Sequence, residues 1–297
     1  MVKVLVLGNT GMLGKDLIST LDTKSYDVVG IDRKTLDFRD LYRIPVVLRD
    51  ISPDVVINSA AYTNVDLAEK EKEIATKINR DAPGEIAKVC GEMKIPLLHI
   101  STDYVFSGNT NRPYVETDEM SPVNFYGWTK LEGELAIKSV LQEHLIIRTS
   151  WLYGKHGKNF VKTILKLARE RDELKVVSDQ FGNPTWTRDL SEAIAKIVDT
   201  IVNKRRKIIW GVYHFSGLEE VSWYQFARKI VEYGKKYDAF RVKNILPISS
   251  SEYPTAAKRP VRSSLDCSKI LANFDVMLKP WEESLEQMIR EYYGKNL

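Results

Sequence analysis

The sequence predicts an α/β protein: a doubly wound parallel sheet of the Rossmann type with a smaller C-terminal substrate-binding lobe. Two observations lead to this prediction. Short apolar runs recur through the first half of the chain, and they are continuous rather than alternating in polarity, as in strands buried on both faces. Segments with helical periodicity separate these runs, and a repeated strand, helix, strand order specifies a doubly wound sheet.

The first half supplies the predicted sheet and its crossover helices. The predicted strands are Val2 to Leu7, Val28 to Ile31, Val55 to Asn58, Leu97 to Ile100 and Leu145 to Arg148. The predicted helices are Leu13 to Leu21, Ala68 to Ile78, Pro83 to Met93 and Trp128 to Leu141.

After Trp151 the regular alternation stops, which indicates a second lobe. The pattern predicts a loop over Val176 to Pro184 and helices over Asn159 to Arg171, Asp189 to Val202 (with Asp189 as a possible N-cap), Trp223 to Lys235 and Trp281 to Tyr293. We expect residues 1–152 to form a dinucleotide-binding domain and residues 153–297 mainly a substrate-binding lobe. Later segments, including about residues 186–216, are expected to return to the first domain.

Composition argues against several classes of partner. The chain of 297 residues has 44 basic and 40 acidic side chains, spread along its length, so nucleic acid is not an expected partner. The short basic run Lys204 to Lys207 is interpreted as a solvated helix end. No apolar run approaches the roughly 18 residues that a membrane span needs, and no leader precedes the first strand. We therefore expect a cytoplasmic protein.

The cysteines and histidines predict neither a disulfide nor a metal site. Cys90 and Cys267 are far apart and lack a Cys-x-x-Cys spacing, and the four histidines lack the spacing of metal ligands. No metal is therefore expected from the residues themselves.

A glycine-rich turn, Gly8-Asn9-Thr10-Gly11-Met12-Leu13-Gly14, follows the first strand directly and opens the first helix. Glycines at this spacing allow a tight turn, close approach of a pyrophosphate, and close packing of helix on strand. The free N–H groups of the helix N-terminus then face the anion. This context predicts a dinucleotide site rather than a plain turn.

Three further segments fit the same dinucleotide site. Asp32 ends the second strand, where a carboxylate binds a ribose hydroxyl, but the adjacent Arg33 could instead bind a 2′-phosphate, so both NADH and NADPH remain open. Asp37 and Phe38 could flank adenine, although a loop acid without this role also fits. The small residues of Asn58-Ser59-Ala60-Ala61-Tyr62 would let the backbone run along the cofactor.

The candidate catalytic residues are Thr102, Tyr126 and Lys130. Four-residue spacing places Tyr126 and Lys130 on one face of a helix, and Thr102 ends a predicted strand. Ketone reduction needs a proton donor at the carbonyl oxygen. A cation about 4 Å away at an effective dielectric of about 20 contributes about 4 kcal/mol, enough to lower a tyrosine pKa by about three units. Lys130 is expected to have this effect on Tyr126, and Thr102 to orient the carbonyl.

These motifs resemble the extended short-chain dehydrogenases, and among them the dTDP-4-dehydrorhamnose reductase family. The similarity extends over the whole chain, through Gly8 to Gly14, Asn58 to Asp66, Ser101 to Phe106, Tyr126 to Lys130, Arg148 to Trp151, Asp179 to Thr185, Arg259-Pro260 and Ser264 to Asp266. The resemblance implies reduction of dTDP-4-dehydro-6-deoxy-L-mannose at C4 by NADPH or NADH, in a monomer or homodimer.

The resemblance also implies a role for each site residue. The implied catalytic set is Thr102, Tyr126 and Lys130. The residues expected at the cofactor are Gly8, Thr10, Gly11, Met12, Leu13, Gly14, Asp32, Arg33, Asp37, Phe38, Ala60, Ala61, Tyr62, Thr63, Tyr126 and Lys130. Those expected at the sugar nucleotide are Val65, Thr102, Asp103, Tyr104, Trp151 and Arg259. For Trp151 a role in the core, and for Arg259 a solvated basic loop, are the alternatives.

The chain departs from the family pattern at a few positions. Tyr62 stands where a histidine is common and Met12 where a glutamine is common, which removes two polar side chains. Some members hold Mg2+ through carboxylates, but Arg188 occupies one such position, so Mg2+ is possible but not supported.

Four other functions are alternatives for a chain with these motifs. A dehydratase would need an Asp-Glu pair where the chain has Asp103-Tyr104. A 4-epimerase would use the same tyrosine and lysine, and another nucleotide-sugar reductase also fits. The chain also resembles the regulatory β subunit of methionine adenosyltransferase, a non-catalytic use of the same scaffold.

Overall fold

The computed structural model describes residues 1–24, 26–203 and 207–294. The strands are β1 (Val2–Leu7), β2 (Tyr26–Ile31), β3 (Val55–Asn58), β4 (Leu97–Thr102), β5 (His144–Thr149), β6 (Leu152–Tyr153), β7 (Glu173–Val177), β8 (Phe181–Gly182), β9 (Thr185–Trp186), β10 (Gly211–His214), β11 (Val221–Ser222) and β12 (Asn244–Ile248). The α-helices are α1 (Met12–Asp22), α2 (Arg43–Ile51), α3 (Val65–Ala68), α4 (Lys72–Thr76), α5 (Ala82–Met93), α6 (Phe125–Val140), α7 (Phe160–Glu170), α8 (Thr187–Val202), α9 (Trp223–Gly234), α10 (Ser268–Asn273) and α11 (Trp281–Tyr292). Shorter helical turns are a π-helical turn (Lys77–Asp81) and two 3-10 turns (Asp103–Val105 and Ser250–Glu252).

The central sheet confirms the predicted fold class. Its six strands run in the order β10-β5-β4-β3-β1-β2, and every adjacent pair is parallel. The five strands predicted from continuous apolar runs are all present, and β3 and β5 are buried along their whole length. Because β1 lies between β2 and β3, the connections on its two sides diverge and leave a crevice at the carboxyl ends of these strands.

Helices cover both faces of the sheet because each buries an apolar stripe. On one face α1 and α8 pack together through residues such as Leu17, Leu21, Leu190 and Ile194. On the other face lie α2, α5 and α6, with Leu48, Ile86 and Ile137 among the buried side chains. The catalytic candidates on β4 and α6 are therefore held by a packed sheet and helix layer.

A separate apolar cluster joins α7, β7, α9 and α11 through Leu165, Leu174, Phe226, Leu285 and Met288. The segments α8 and β10, by contrast, belong with the central sheet, because α8 packs on α1 and β10 pairs with β5. The division near residue 152 into a dinucleotide-binding domain and a substrate-binding lobe stays a prediction.

Two predicted elements of the second half were wrong. The predicted loop over Val176 to Pro184 contains the end of β7 and all of β8, which pair with β12 and β11. Asp189 is not an N-cap, since α8 begins two residues earlier, after Trp186. Its carboxylate instead accepts a 2.7 Å hydrogen bond from Lys279 Nζ and another from the Ser284 hydroxyl, which joins α8 to the start of α11.

The single helix predicted over Ala68 to Ile78 was also wrong. The segment is divided into α3, α4 and the π-helical turn. The break lies at Glu69, whose carboxylate accepts a 2.8 Å hydrogen bond from the backbone N–H of Phe125 at the start of α6. This tertiary contact, which periodicity does not reveal, directs the chain out of the helical path.

The basic run Lys204 to Lys207 is interpreted from the sequence as a solvated helix end. Residues 204–206 of this run lie outside the described residues, so the interpretation stays a prediction. Within ranges 1–24, 26–203 and 207–294, no helix combines the length and the apolar character that crossing a bilayer requires.

A buried ion pair lies between β5 and α6. The Arg148 guanidinium donates to both carboxylate oxygens of Glu134, at 2.9 and 2.7 Å, and neither side chain is exposed. Burial raises the pKa of Glu134, but the charge and hydrogen bonds of Arg148 outweigh it, so the pKa is lowered overall. Glu134 therefore carries its charge in the interior, where it depends on Arg148.

We expect Arg148→Met to lower the free energy of unfolding by about 3–5 kcal/mol, because it leaves the Glu134 carboxylate buried without its cation. Equilibrium urea unfolding measures this change. The matched control is Arg241→Met, which breaks the exposed pair with Asp172 and should change stability far less, because solvent screens an exposed ion pair. Similar losses from the two variants would contradict the assignment of stability to the buried pair.

Candidate active site

A cavity of about 940 Å³ opens at the carboxyl ends of β1, β3 and β4. The predicted site residues on its wall are Gly8, Thr10, Gly11, Met12, Leu13, Asp32, Arg33, Asp37, Phe38, Ala60, Ala61, Tyr62, Thr63, Val65, Thr102, Asp103, Tyr104, Tyr126, Lys130 and Trp151. Two predicted residues, Gly14 and Arg259, are not on the wall. The crevice expected of a doubly wound sheet is thus lined by the residues that the motifs singled out.

The glycine turn has the close backbone packing that its sequence predicts. Gly8 has φ +84, and a Cβ there would lie 2.8 Å from the backbone nitrogen of Ala60. A Cβ on Gly14 would lie 2.1 Å from the Gly8 carbonyl oxygen, so Gly14 lets α1 approach the turn rather than lining the cavity. Gly11 is the N-cap of α1 and contributes no side-chain cap, which leaves the first N–H groups of the helix open to an anion.

Charged side chains cluster where β2 ends. Asp32 Oδ1 accepts hydrogen bonds from the backbone N–H groups of Lys34 and Thr35, both at 3.0 Å, and the Thr35 bond is the main reason why the Asp32 pKa is lowered. Arg33 and Arg39 both pair with Asp37, at 3.3 and 2.6 Å.

A small hollow beside the main cavity is lined by this cluster. Sequence reasoning selected Arg33 here but missed Lys34 and Arg39. The density of basic residues just after β2 was the signal that could have found them.

A buried amide links two walls of the cavity. Asn79 Oδ1 accepts from the Tyr62 N–H at 2.8 Å, and Asn79 Nδ2 donates to the Tyr62 carbonyl at 3.0 Å and to the Thr129 hydroxyl at 3.1 Å. The strip Ala60 to Thr63 is thereby attached to α6. Sequence analysis missed Asn79, because it lies in the short connection between two predicted helices and belongs to no motif.

Thr102, Tyr126 and Lys130 meet at one end of the cavity. Thr102 ends β4, and its hydroxyl donates to Asp103 Oδ1 at 3.0 Å. Tyr126 lies in the first turn of α6, where Asn124 is the N-cap and accepts from the Gly127 N–H at 2.8 Å. Burial raises the pKa of Tyr126 to about 12, and the Thr102 hydroxyl opposes this effect without cancelling it.

The predicted effect of Lys130 on the Tyr126 pKa is not found. Lys130 Nζ lies 2.7 Å from the Ile100 carbonyl oxygen and 3.0 Å from His99 Nε2, so it is directed to β4. Burial lowers the pKa of Lys130 to about 8, partly offset by the charge of Glu134. The prediction assumed a fully charged ammonium beside the phenol, and it neglected how burial disfavours charge on both groups.

Two indoles form the far wall. Trp151 stacks on Trp223 with ring centroids 3.4 Å apart and planes within 5°, and both rings line the cavity. The Trp151 backbone has φ +46, an uncommon conformation for a tryptophan, and a Cβ on Gly182 would lie 2.6 Å from its ring. Sequence analysis missed Trp223, which stands among the residues of an ordinary amphipathic helix.

Arg259 lies behind the cavity wall, where it interacts with Tyr104, a residue that lines the cavity. Its guanidinium donates to the two carboxylate oxygens of Asp66 at 2.7 and 2.8 Å and to the Ala257 carbonyl at 2.6 Å. The pair attaches the segment around residue 259 to α3. Arg259 is therefore a partly buried residue that holds this segment in place, and it does not belong to a solvated basic loop.

The cavity has the features that a dinucleotide requires. The Thr149 hydroxyl lines the wall and is buried with no hydrogen-bond partner among the described residues. Three features lie along the same crevice. They are the N-terminus of α1 with its free N–H groups, the glycine turn where a Cβ would clash, and the small hollow that Arg33, Lys34 and Arg39 line together with acidic residues. Within the described part of the chain, no group of three or more His, Cys, Asp or Glu residues is arranged to hold a metal, and Arg188 pairs with Glu192 and Glu291.

Comparison with known proteins gives a consistent family. A family model described as the RmlD substrate binding domain matches residues 2–294. The dTDP-4-dehydrorhamnose reductase of Escherichia coli K12 is 37% identical, over 98% of each chain. A Bacillus anthracis dTDP-4-dehydrorhamnose reductase solved in complex with NADP has a TM-score of 0.90 at 38% identity, over 98% of this chain and 100% of that one. A Clostridium acetobutylicum ortholog of the reductase has a TM-score of 0.89 at 36% identity, over 97% and 99%.

The buried Asp103 predicts a pH-dependent stability. Burial raises its pKa to about 7, despite hydrogen bonding from Ser263 and Thr102 that lowers it, whereas an unfolded aspartate titrates near about 3.9. The folded chain therefore binds more protons than the unfolded chain between these values, and stability falls as pH rises through that range.

Between pH 5 and pH 8, wild type should lose about 2–3 kcal/mol more stability than Asp103→Asn, as measured by urea unfolding. A stability difference between the two proteins that stays constant over this range would refute the prediction.

Proposed function

Because the chain belongs to the family of dTDP-4-dehydrorhamnose reductases, we propose that it reduces the 4-keto group of dTDP-4-dehydro-6-deoxy-L-mannose to give dTDP-L-rhamnose. The chain is an NAD(P)H-dependent oxidoreductase, as its relatives are. The observation that carries the proposal is the convergence of Thr102, Tyr126 and Lys130 in one cavity with the glycine turn.

The cofactor would lie along the crevice from the end of β2 to the end of β4. The turn Gly8 to Gly14 and the N-terminus of α1 would hold the pyrophosphate, with backbone N–H groups directed at the anion. Asp37 and Phe38 would flank the adenine, and Ala60 to Thr63 would border the cofactor. When bound, the dihydronicotinamide supplies the hydride, and Lys130 would hold its ribose.

The sugar would occupy the other end of the cavity. Val65, Thr102, Asp103, Tyr104 and Trp151 line that region and would surround the 4-keto sugar. The Trp151 ring is held rigidly by Trp223, so it would offer a fixed apolar surface to the sugar ring. Arg259 would act indirectly, because its ion pair with Asp66 fixes the segment around residue 259 beside the sugar site.

Tyr126 would protonate the carbonyl oxygen during reduction. A proton donor must carry its proton, and a phenol with its pKa raised to about 12 is fully protonated at neutral pH. Its proton transfer is favourable because hydride addition to the carbonyl carbon moves the π electron pair onto the oxygen, which becomes alkoxide-like and a stronger base than a phenolate. On substrate binding, the Thr102 hydroxyl would turn its hydrogen from Asp103 Oδ1 to the same carbonyl oxygen and fix its orientation.

Tyr126→Phe should lower kcat by about 10²–10⁴-fold, the range for a general acid, with little change in NADPH affinity. The assay follows NADPH absorbance with the dTDP-linked 4-keto sugar. Tyr153→Phe is the matched control, because it removes a buried phenol hydroxyl that has no partner among the described residues and lies off the cavity wall. Undiminished turnover in Tyr126→Phe would exclude this tyrosine as the donor. If the protein oxidises NADPH with none of the 4-keto sugar nucleotides, the proposed reaction is excluded. A non-catalytic role like that of the regulatory β subunit of methionine adenosyltransferase is then favoured.

For the cofactor, we propose that the protein prefers NADPH to NADH. The 2′-phosphate would bind in the small hollow beside the main cavity, to Arg33, Lys34 and Arg39. Arg33→Ala should then raise the KM for NADPH about tenfold, the loss of roughly one charged hydrogen bond, and change the KM for NADH little. Steady-state kinetics with each cofactor measures the ratio. Arg49→Ala is the control, since Arg49 is an exposed arginine paired with Glu92 on the surface. Equal changes for NADPH and NADH would contradict the assignment.

A further inference from the structure

A buried hydrogen-bond chain runs from the end of β3 to Lys130. The Asn58 side-chain amide lies 3.1 Å from His99 Nδ1, and His99 Nε2 lies 3.0 Å from Lys130 Nζ. Each of these three side chains is at most 1% exposed. The polar atoms of Asn58 and His99 must therefore find their partners within the protein, because both side chains are fully buried, whereas Lys130 also lines the cavity.

The direction of the first hydrogen bond is set by the backbone. Asn58 Oδ1 lies 3.1 Å from the N–H of Ala60, and a backbone N–H can only donate. The amide oxygen of Asn58 must therefore face Ala60, which turns the amide NH₂ toward His99. This orientation follows from the main chain and does not depend on telling nitrogen from oxygen in the side chain.

The tautomer of His99 follows from the orientation of Asn58. Since Asn58 Nδ2 donates, His99 Nδ1 must accept, and a neutral imidazole then carries its proton on Nε2. Burial lowers the pKa of His99 well below its ordinary value, which keeps the ring neutral. The Nε2–H group therefore points at Lys130 Nζ.

A donor at His99 Nε2 places a condition on Lys130. An ammonium has three donors and no acceptor, so it would meet the Nε2–H group donor to donor. A neutral amine has one lone pair that accepts from Nε2–H, while one of its N–H groups donates to the Ile100 carbonyl at 2.7 Å. Only the neutral form satisfies every member of the chain.

We propose that Asn58 and His99 are positioning residues that hold Lys130 as a neutral amine in the cofactor-free protein. The proposal rests on the proposed function only in assigning Lys130 to the catalytic set. It implies that Lys130 must take up a proton before it can act as a cation on a bound cofactor. The protonation state of Lys130 is thus set by a backbone N–H two side chains away.

The surroundings of Lys130 shift its protonation equilibrium in the same direction. Burial lowers its pKa to about 8, and the opposing charge is Glu134, one turn along α6, which is itself paired with Arg148. The other titratable groups near it are His99 on β4, Tyr126 on α6, and Asp103, which follows β4 and shares the cavity wall.

The first test reads the tautomer of His99 directly. Long-range 1H–15N NMR of cofactor-free protein labelled at histidine distinguishes a proton on Nε2 from one on Nδ1. The chain has four histidines, so the missing signal in His99→Gln assigns the ring. We expect a neutral ring protonated at Nε2, and in Asn58→Asp, where two carboxylate oxygens can accept, we expect the proton on Nδ1. A doubly protonated ring, or a proton on Nδ1 in wild type, would overturn the proposal.

The second test titrates Lys130 by 13C NMR of the lysine ε-carbons, with Lys130→Met to assign the signal. We expect one lysine to titrate well below the ordinary value of about 10.4. In His99→Gln the new amide can turn its oxygen to Nζ, so the midpoint should rise by about one unit, a tenfold change in proton affinity. A wild-type midpoint near the ordinary value, or an unchanged midpoint in His99→Gln, would also overturn it.

The controls separate this proposal from a structural role and from the proposed reaction. His144→Gln makes the same exchange at a histidine bonded to the Leu141 carbonyl, and it should leave the Lys130 titration unchanged. If His99→Gln does not fold, the Asn58→Asp ring spectrum decides alone. Because both tests use protein without cofactor or substrate, their failure would leave the reductase assay standing, and failure of that assay would leave these results standing.

Discussion

The parallel pairing of β1 with both β2 and β3 is the constraint on which the rest of the molecule depends. It directs the carboxyl ends of neighbouring strands to one edge and separates the connections that follow them. The close contact of the Gly8 turn with Ala60 then narrows this edge into a crevice. The three residues proposed to take part in catalysis all lie on a strand or a helix that this sheet holds in place.

Burial is the second theme, since it alters the acid–base properties of the site more than neighbouring charges do. Tyr126, Lys130 and Asp103 all have pKa values shifted toward their neutral forms, and burial is the main cause in each case. A few ångströms behind them, the interior does hold a charge pair, but only because Arg148 gives Glu134 two hydrogen bonds. In the cofactor-free protein, therefore, burial shifts each of these three groups toward its uncharged form.

Much of the fold could be predicted from the sequence because its signals are local. Continuous apolar runs identified the five strands, and the glycine spacing identified the turn after β1. What could not be predicted depends on contacts between distant segments. The break at Glu69 follows from a bond to α6, and the strand β8 from pairing with β11, far along the chain.

In the site, too, local signals could be predicted from the sequence and contacts between distant segments could not. Motif residues such as Tyr126 and Asp32 could be selected by spacing, and the structure brings them to one cavity. Trp223 and His99 were not selected as functional residues, because they stand in an ordinary helix and an ordinary strand, and Asn79 was missed because it lies in a short connection between two predicted helices. The expected influence of Lys130 on Tyr126 was wrong for a related reason, since spacing along a helix says nothing about a carbonyl on β4 that competes for the ammonium.

The amide of Asn79 has a consequence for how the two walls of the cavity can vary. It holds the backbone of Tyr62, on one wall, and the hydroxyl of Thr129, on the helix that carries Tyr126. A shift of either wall is therefore transmitted to the other through a single side chain. A change of sequence at either place is constrained by the geometry of both.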